Sequence, residues 1–254
     1  MIHNTVIIDK SAIIEDNVEI GPYTAIGKEA VIKSGAVIGS NCFIEFAEIG
    51  HNCRISNSVS VGTPPQDLGY KDEPARAYIG DGTVLREFVS INRGSAKTLK
   101  TIIGKNCFFM ACSHAAHDTR VGDNVILANG VGLGGHAAVG DNVFVGGLAG
   151  IHQFCKIGKG AMIAAGTIVS MDIIPFVMCA GYRGDLNGLN LVGMRRRKMT
   201  VSDIGAVKEA YKILFMSKLL LKDAMVEIEK IDSPYVKEII DFIKGSTRSI
   251  ARPK

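Results

Sequence analysis

The sequence predicts a mainly β fold: a parallel β-helix wound from hexapeptide repeats, with a small α-helical domain at its C-terminus. Three observations carry the prediction. An apolar residue recurs at every sixth position through most of the first 175 residues. A small or β-branched residue follows it four places later. After Thr200 the spacing of apolar residues changes to threes and fours. A beat of six fits neither a helix nor a lone strand, and it is the signature of a stacked array.

The beat starts at once, at Ile8, Ile14, Ile20, Ile26, Ile32, Ile38 and Ile44. It slips by one residue, which reads as a tightened corner, and resumes at Ile49, Ile55 and Val61. Residues 63–77, TPPQDLGYKDEPARA, break it with prolines, glycine and charges, the composition of an excursion loop. Ile79, Leu85 and Ile91 resume it, and a second excursion covers residues 93–100. From Ile103 to Val169 it then runs through twelve rungs without a slip, Ala115 being the one small exception. Each six supplies a short strand and a corner, and three sixes close one triangular turn. The aliphatic residue points inward, and successive turns pair as parallel strands buried on their inner face.

The array, residues 1–175, stops near Pro175, and a connecting segment, 176–199, carries no period. Residues 200–254 read as a helical domain. Ile204, Val207, Tyr211, Leu214 and Phe215 share one helix face; a second helix is expected over 221–231. Ser233-Pro234 opens a third, with Gly245 as its stop. Such helices can cover the strand edges that an open stack exposes.

Composition fits a narrow interior. Hydrophobic residues make up 47% but aromatics only 6%, with no Trp and 29 Gly. The net charge of +4 is too small to argue for nucleic acid, but suits a polyanionic ligand or an acidic partner. Cys42, Cys53, Cys107 and Cys155 fall on the small inward position and read as core fillers. No CxxC pair is present, so neither a zinc ribbon nor a redox motif is expected. A reducing, cytoplasmic setting follows, with no membrane span and no signal layout in MIHNTVIIDK.

The chemistry concentrates where histidines do. His117, His136 and His152 are separated by one turn plus one and by one turn less two residues, so the eighteen-residue turn stacks them along one corner. Asp118 lies one full turn beneath His136, His114 sits on the strand entering the corner, and Gln153 joins the column. Two chemistries suit this column. A neutral imidazole backed by a carboxylate is a general base, with a backbone N–H of Gly134-Gly135-His136 facing an oxyanion. Three converging imidazoles could instead hold zinc. Arg195-Arg196-Arg197-Lys198 is the strongest basic cluster, and arginine forks suit diphosphate oxygens or an acidic protein.

SHAAHD (113–118), ILANGVGLGGH (126–136), AGIHQFCKIG (149–158) and GLNLVGMRRR (188–197), with PPQDLGYKDEPARAYIGD (64–81) and REFVSINRG (86–94), resemble the UDP-N-acetylglucosamine 3-O-acyltransferases of lipid A synthesis over nearly the whole chain. The resemblance implies coils that wind left-handed and a cytoplasmic homotrimer with active sites between prisms. It implies transfer of an (R)-3-hydroxyacyl group from acyl carrier protein to the 3-OH of the UDP-sugar, the first step of lipid A biosynthesis. No metal or other cofactor is implied.

By the same resemblance His117 is the base, Asp118 its supporting carboxylate and Gly135 the oxyanion donor. His114, His136, Gln153 and Asp67 match positions around the sugar and acyl groups; His152, Asn190, Arg196 and Arg197 match positions around the nucleotide. Ala165 stands where bulk would shorten the acyl pocket. Two departures bear on sugar recognition. Gly69 stands where many members have Lys, with Lys71 two residues on, and Val192 stands where some have Glu. A 3-amino sugar nucleotide is therefore the alternative acceptor. A histidine metallo-hydratase of the same fold and a non-catalytic binding scaffold are the alternatives of other classes.

Overall fold

The computed structural model describes residues 1–254. Three parallel faces of short strands run the length of a left-handed β-helix. The first face has nine strands, from Ile7–Ile8 to Ile168–Val169; the second has eight, from Ile13–Ile14 to Lys156–Ile157. The third has ten, from Glu19–Ile20 to the hairpin Val177–Ala180 and Asp185–Leu189. In most two-residue strands the first residue faces out and the second in. Thus Ile126 faces out while Leu127 is fully buried, and Phe144 faces out while Val145 is fully buried. Register follows the eighteen-residue turn, as in His114 beside Gly132 beside Gly150.

The corners explain the rest of the repeat. Three places after most inward aliphatics the backbone enters the left-handed region, at Asn17, Asn41, Asn106, Asn124 and Asn142 among others. Asn tolerates that region better than most residues, because its short side chain bonds locally. Asp118, His136 and Phe154 adopt it too, at successive turns of one corner. Non-Asn, non-Gly residues such as Tyr23, Phe88, Cys112 and Leu148 take the same conformation at other corners, so the backbone there is held by the stacking rather than by residue type.

The slip of the beat is a two-residue corner, Glu45-Phe46, with Phe46 at φ 42°. It is held by Arg93, a buried side chain from the start of the second excursion. The Arg93 guanidinium donates to Glu45 Oε1 and to the Gly62 carbonyl, both at 3.0 Å, and to the Tyr70 hydroxyl at 2.8 Å. It also stacks on the Phe46 ring, 4.4 Å from its centre. One arginine therefore ties the slip to both excursion loops.

Residues 176–199 are more ordered than the sequence reading expected. They form the hairpin Val177–Ala180/Asp185–Leu189, which adds two strands to the third face, and then α1 (Leu191–Arg196). The periodicity ends there because the hairpin's second strand runs antiparallel, outside the coil. α2 (Val201–Met216) starts with a capping box between Thr200 and Asp203. α3 (Leu221–Ile228) and α4 (Pro234–Lys244) follow, α4 stopping at Gly245. Ser233 precedes α4 but makes no side-chain cap. One apolar core runs from Val18 through the coils into the helices as far as Ala251. The chain end returns to the coils, where Ala251 N–H donates to the Asp172 carbonyl.

Removing one member of a buried ion pair strands the other, at a cost of roughly 3 kcal/mol. Arg93→Ala is expected to destabilise the chain by about that amount, read as a lowered midpoint in denaturant unfolding.

Candidate active site

The corner between the first and second faces carries the site. The strand His114–Ala115 enters it, and the chain turns through Ala116, His117 and Asp118. His117 Nδ1 lies 2.7 Å from Asp118 Oδ2. His136, one turn on, places Nε2 3.8 Å from the same oxygen, its ring edge-on to His117 at 5.2 Å between centres. Phe154, a further turn on, stacks flat on His136 at 4.6 Å. His114 Nδ1 faces the Ser90 hydroxyl at 2.8 Å.

Asp118 is wholly buried, yet four donors surround it. Oδ2 accepts from Ser95 N–H at 3.0 Å, from Ser95 Oγ at 2.6 Å and from His117; Oδ1 accepts from Thr98 Oγ1. Burial alone pushes the carboxyl pKa up. The bonds from Ser95, Thr98 and His117, with the nearby His136, outweigh it and hold the group below the usual carboxylate range. Burial lowers His114 and His136; for His136 the charge of Asp118 opposes this, while His117 and Lys97 reinforce it. With the carboxylate ionised, His117 presents Nδ1–H to it and leaves Nε2 as a free lone pair.

Gly135 is dictated by that ring. A Cβ there would lie 2.7 Å from His117 Cε1 and Nε2. The Gly135 N–H is engaged by no backbone carbonyl, so a donor stands free beside the imidazole. In front of the corner the two excursion loops form a cleft of about 280 Å³. Asp67, Gly69, Tyr70, Lys97, His136 and Phe154 are among its lining residues. Asp67 accepts from Gly69 N–H at 2.9 Å. Lys71 is not part of this wall, and its own N–H turns to Glu73; the cation in the cleft is Lys97, 4.7 Å above the Phe154 ring.

The structure corrects the expected histidine column. His152 is exposed, precedes the turn rather than occupying it, and directs Nδ1 to the Gln153 carbonyl. His117, Asp118 and His136 do bring ligand atoms within 4.8 Å of one another. A three-histidine zinc site nevertheless does not assemble, because no third imidazole joins them and the carboxylate is already saturated with donors. Gln153 is exposed on the same corner.

The basic residues lie elsewhere. Arg196, Arg197, Asn190 and Val192 border a groove of about 440 Å³ on the third face, floored by Ile126, Phe144 and Met162. Asn190 is chiefly a cap: its Oδ1 accepts from Gly193 N–H and its Nδ2 donates to the Gly160 carbonyl. Arg197 packs beneath this turn against Gly160 and Phe176, with both terminal nitrogens buried and unpaired. Burial lowers its pKa. Arg196 is exposed. Ala165 is exposed at the corner between the third and first faces.

Sequence reasoning missed Ser95, Thr98, Lys97, Phe154 and the open glycines of the first face. A Cβ on Gly132 would meet nothing within 4 Å, and one on Gly150 only Ile168. Phe154 was recoverable by counting one turn from His136. The loop residues were not, because an excursion has no register.

Comparisons with known proteins fit this geometry. A profile described as "Udp N-acetylglucosamine O-acyltransferase; Domain 2" matches residues 172–251. One for bacterial transferase hexapeptide repeats matches 100–135, and one for the hexapeptide repeat of succinyl-transferase matches 137–170. The acyl-[acyl-carrier-protein]--UDP-N-acetylglucosamine O-acyltransferase of Campylobacter concisus is 40% identical, covering 100% of this chain and 98% of its own. That of Aliarcobacter butzleri is 43% identical, covering 98% and 97%. The solved LpxA of Acinetobacter baumannii superposes with a TM-score of 0.96 at 40% identity, over 99% of each chain. The UDP-N-acetylglucosamine acyltransferase of Campylobacter jejuni gives 0.95 at 38%, over 100% of each.

Because its folded pKa is depressed, ionised Asp118 contributes stability above its unfolded pKa of about 3.9, and loses it as pH falls through the folded value. The stability gap between the wild-type chain and Asp118→Asn should therefore narrow on acidification from about pH 5 towards pH 2. Paired thermal melts across that range measure it.

Proposed function

The chain belongs to the UDP-N-acetylglucosamine O-acyltransferase family, and from that premise we propose the reaction and the role of each residue. It is an acyltransferase that moves an (R)-3-hydroxyacyl group from acyl carrier protein to the 3-OH of UDP-N-acetylglucosamine, opening lipid A biosynthesis in the cytoplasm. The observation that carries this reading is the saturated carboxylate behind His117, with a free glycine N–H beside the ring.

His117 Nε2 takes the proton from the sugar hydroxyl as its oxygen attacks the thioester carbon. Asp118 holds the tautomer and stabilises the imidazolium that forms. Charge develops on the thioester oxygen, and the Gly135 N–H donates to it. The tetrahedral intermediate collapses with cleavage of the C–S bond, and the imidazolium returns its proton to the departing thiolate. The new C–O ester bond stays on the sugar. Asp67, His136 and Lys97 contact the sugar in the cleft between the excursion loops. The acyl chain runs along the first face over Gly132 and Gly150, with Ala165 and Ile168 at its far limit.

Arg196 receives the nucleotide diphosphate, but its groove opens on the third face, away from the histidine corner. A single prism cannot bring the two together, and a second copy packed alongside can. We read the assembly as a homotrimer, in which each site takes its imidazoles from one subunit and its arginine from the neighbour. No helix of the chain is long and apolar enough to cross a membrane.

His117→Ala is expected to lower kcat by about 10² to 10⁴ while leaving the chain folded. Transfer from 3-hydroxyacyl carrier protein to UDP-N-acetylglucosamine measures it, and near-normal turnover refutes the base. Arg196→Ala is expected to raise the nucleotide KM more than it lowers kcat. Co-assembling that variant with His117→Ala should restore a share of sites with wild-type KM. Mixed trimers that show no sites with the wild-type KM count against a shared site.

A further inference from the structure

The second excursion interrupts the coil immediately beneath the dyad. A plain corner there would leave the buried Asp118 carboxylate with one partner, His117. Instead the chain leaves the first face after the strand Ser90–Asn92, is pinned by Arg93, and folds Ser95 and Thr98 over the carboxylate before rejoining at Lys100–Ile103. Ser95 is itself buried. Thr98 Oγ1 is further held near the Lys100 carbonyl at 3.0 Å, and Thr101 Oγ1 receives the Asp118 N–H at 2.8 Å. Every side-chain and backbone donor or acceptor bonded to Asp118, apart from His117, comes from this one stretch.

We infer that Ser95 and Thr98 are positioning residues for the transfer reaction: the second excursion exists to keep Asp118 ionised and aimed at His117. The inference rests on His117 being the base. Four donors in place of one spread the negative charge, so the proton between Asp118 and His117 stays on the imidazole. They also lower the proton affinity of the pair as a whole, which leaves Nε2 free at a lower pH. Removing a donor concentrates charge on the oxygen facing His117, and the pair then holds its second proton more tightly. The other charged or titratable groups around the pair are His136, His114 and, across the cleft, Lys97 and Asp67, none of which the loop hydroxyls touch. Their influence is common to the wild-type chain and the variants.

The test is Thr98→Val, with Thr98→Ser as its conservative partner and Ser95→Ala as a second removal, each as full-length protein. Loss of one hydrogen bond to a charged group is expected to raise the ring titration midpoint of His117, followed by NMR, by about one pH unit. The His117 signal is assigned by its disappearance in His117→Ala. The acid limb of kcat/KM should move up by the same amount, with nucleotide KM at high pH unchanged, and Thr98→Ser should restore both. A midpoint that stays put in Thr98→Val and Ser95→Ala overturns the inference, even if kcat falls, because a merely structural role lowers amplitude without moving a titration. A midpoint that rises while the kinetic limb stays put upholds the loop's role and instead removes His117 as the base.

Discussion

Coil-to-coil hydrogen bonding at eighteen residues per turn is the constraint on which the rest of this molecule depends. Each strand is only a few residues long and buries a single inward aliphatic, far too little to be stable alone. Stacking makes the short strands cooperative. Leu127 packs beneath Val145, and amides of the coil strands find their partners one winding away. The same register that fills the core lifts Asp118, His136 and Phe154 onto one corner. A catalytic constellation thus arises from the rule that builds the scaffold.

What the rule cannot supply comes from where it is broken. The one-residue slip, the two excursions and the closing hairpin are the departures from the beat. The slip and both excursions meet at Arg93, and both excursions wall the cleft. A backbone N–H and two hydroxyls of the second excursion satisfy a carboxylate that the coil would have left short of partners. The site is therefore a composite of rigid repeat and local exception, each holding what the other cannot.

This division sets how much could be read from the sequence. The coils, their register, the change to helix at Thr200, the helix stop at Gly245, and the meeting of His117, Asp118 and His136 all follow from counting. His152 shows the limit of counting alone. Its offset from a whole turn is small, but standing two positions before Phe154, which takes the place above His136, suffices to point a side chain away from its neighbours. Ser95, Thr98 and Lys97 were illegible because an excursion loop takes its shape from tertiary contacts such as those of Arg93. The hairpin after Pro175 was missed because its antiparallel strand obeys a different spacing. Arg196 was legible as chemistry but not as location: the sequence does not say which face a connecting helix will cover.

The N-terminal coils, from Ile7–Ile8 to Val37–Ile38, hold no member of the site. They behave as spare masonry. Descendants of this chain could gain or shed whole windings there and keep their chemistry, since every interval above would survive intact. One extra residue anywhere from Asp118 to His136 would instead carry an imidazole off its column, and no flexibility in so tightly laced a stack could swing it back. Length variation should accordingly accumulate in multiples of a full winding at the bottom and be purged in the middle.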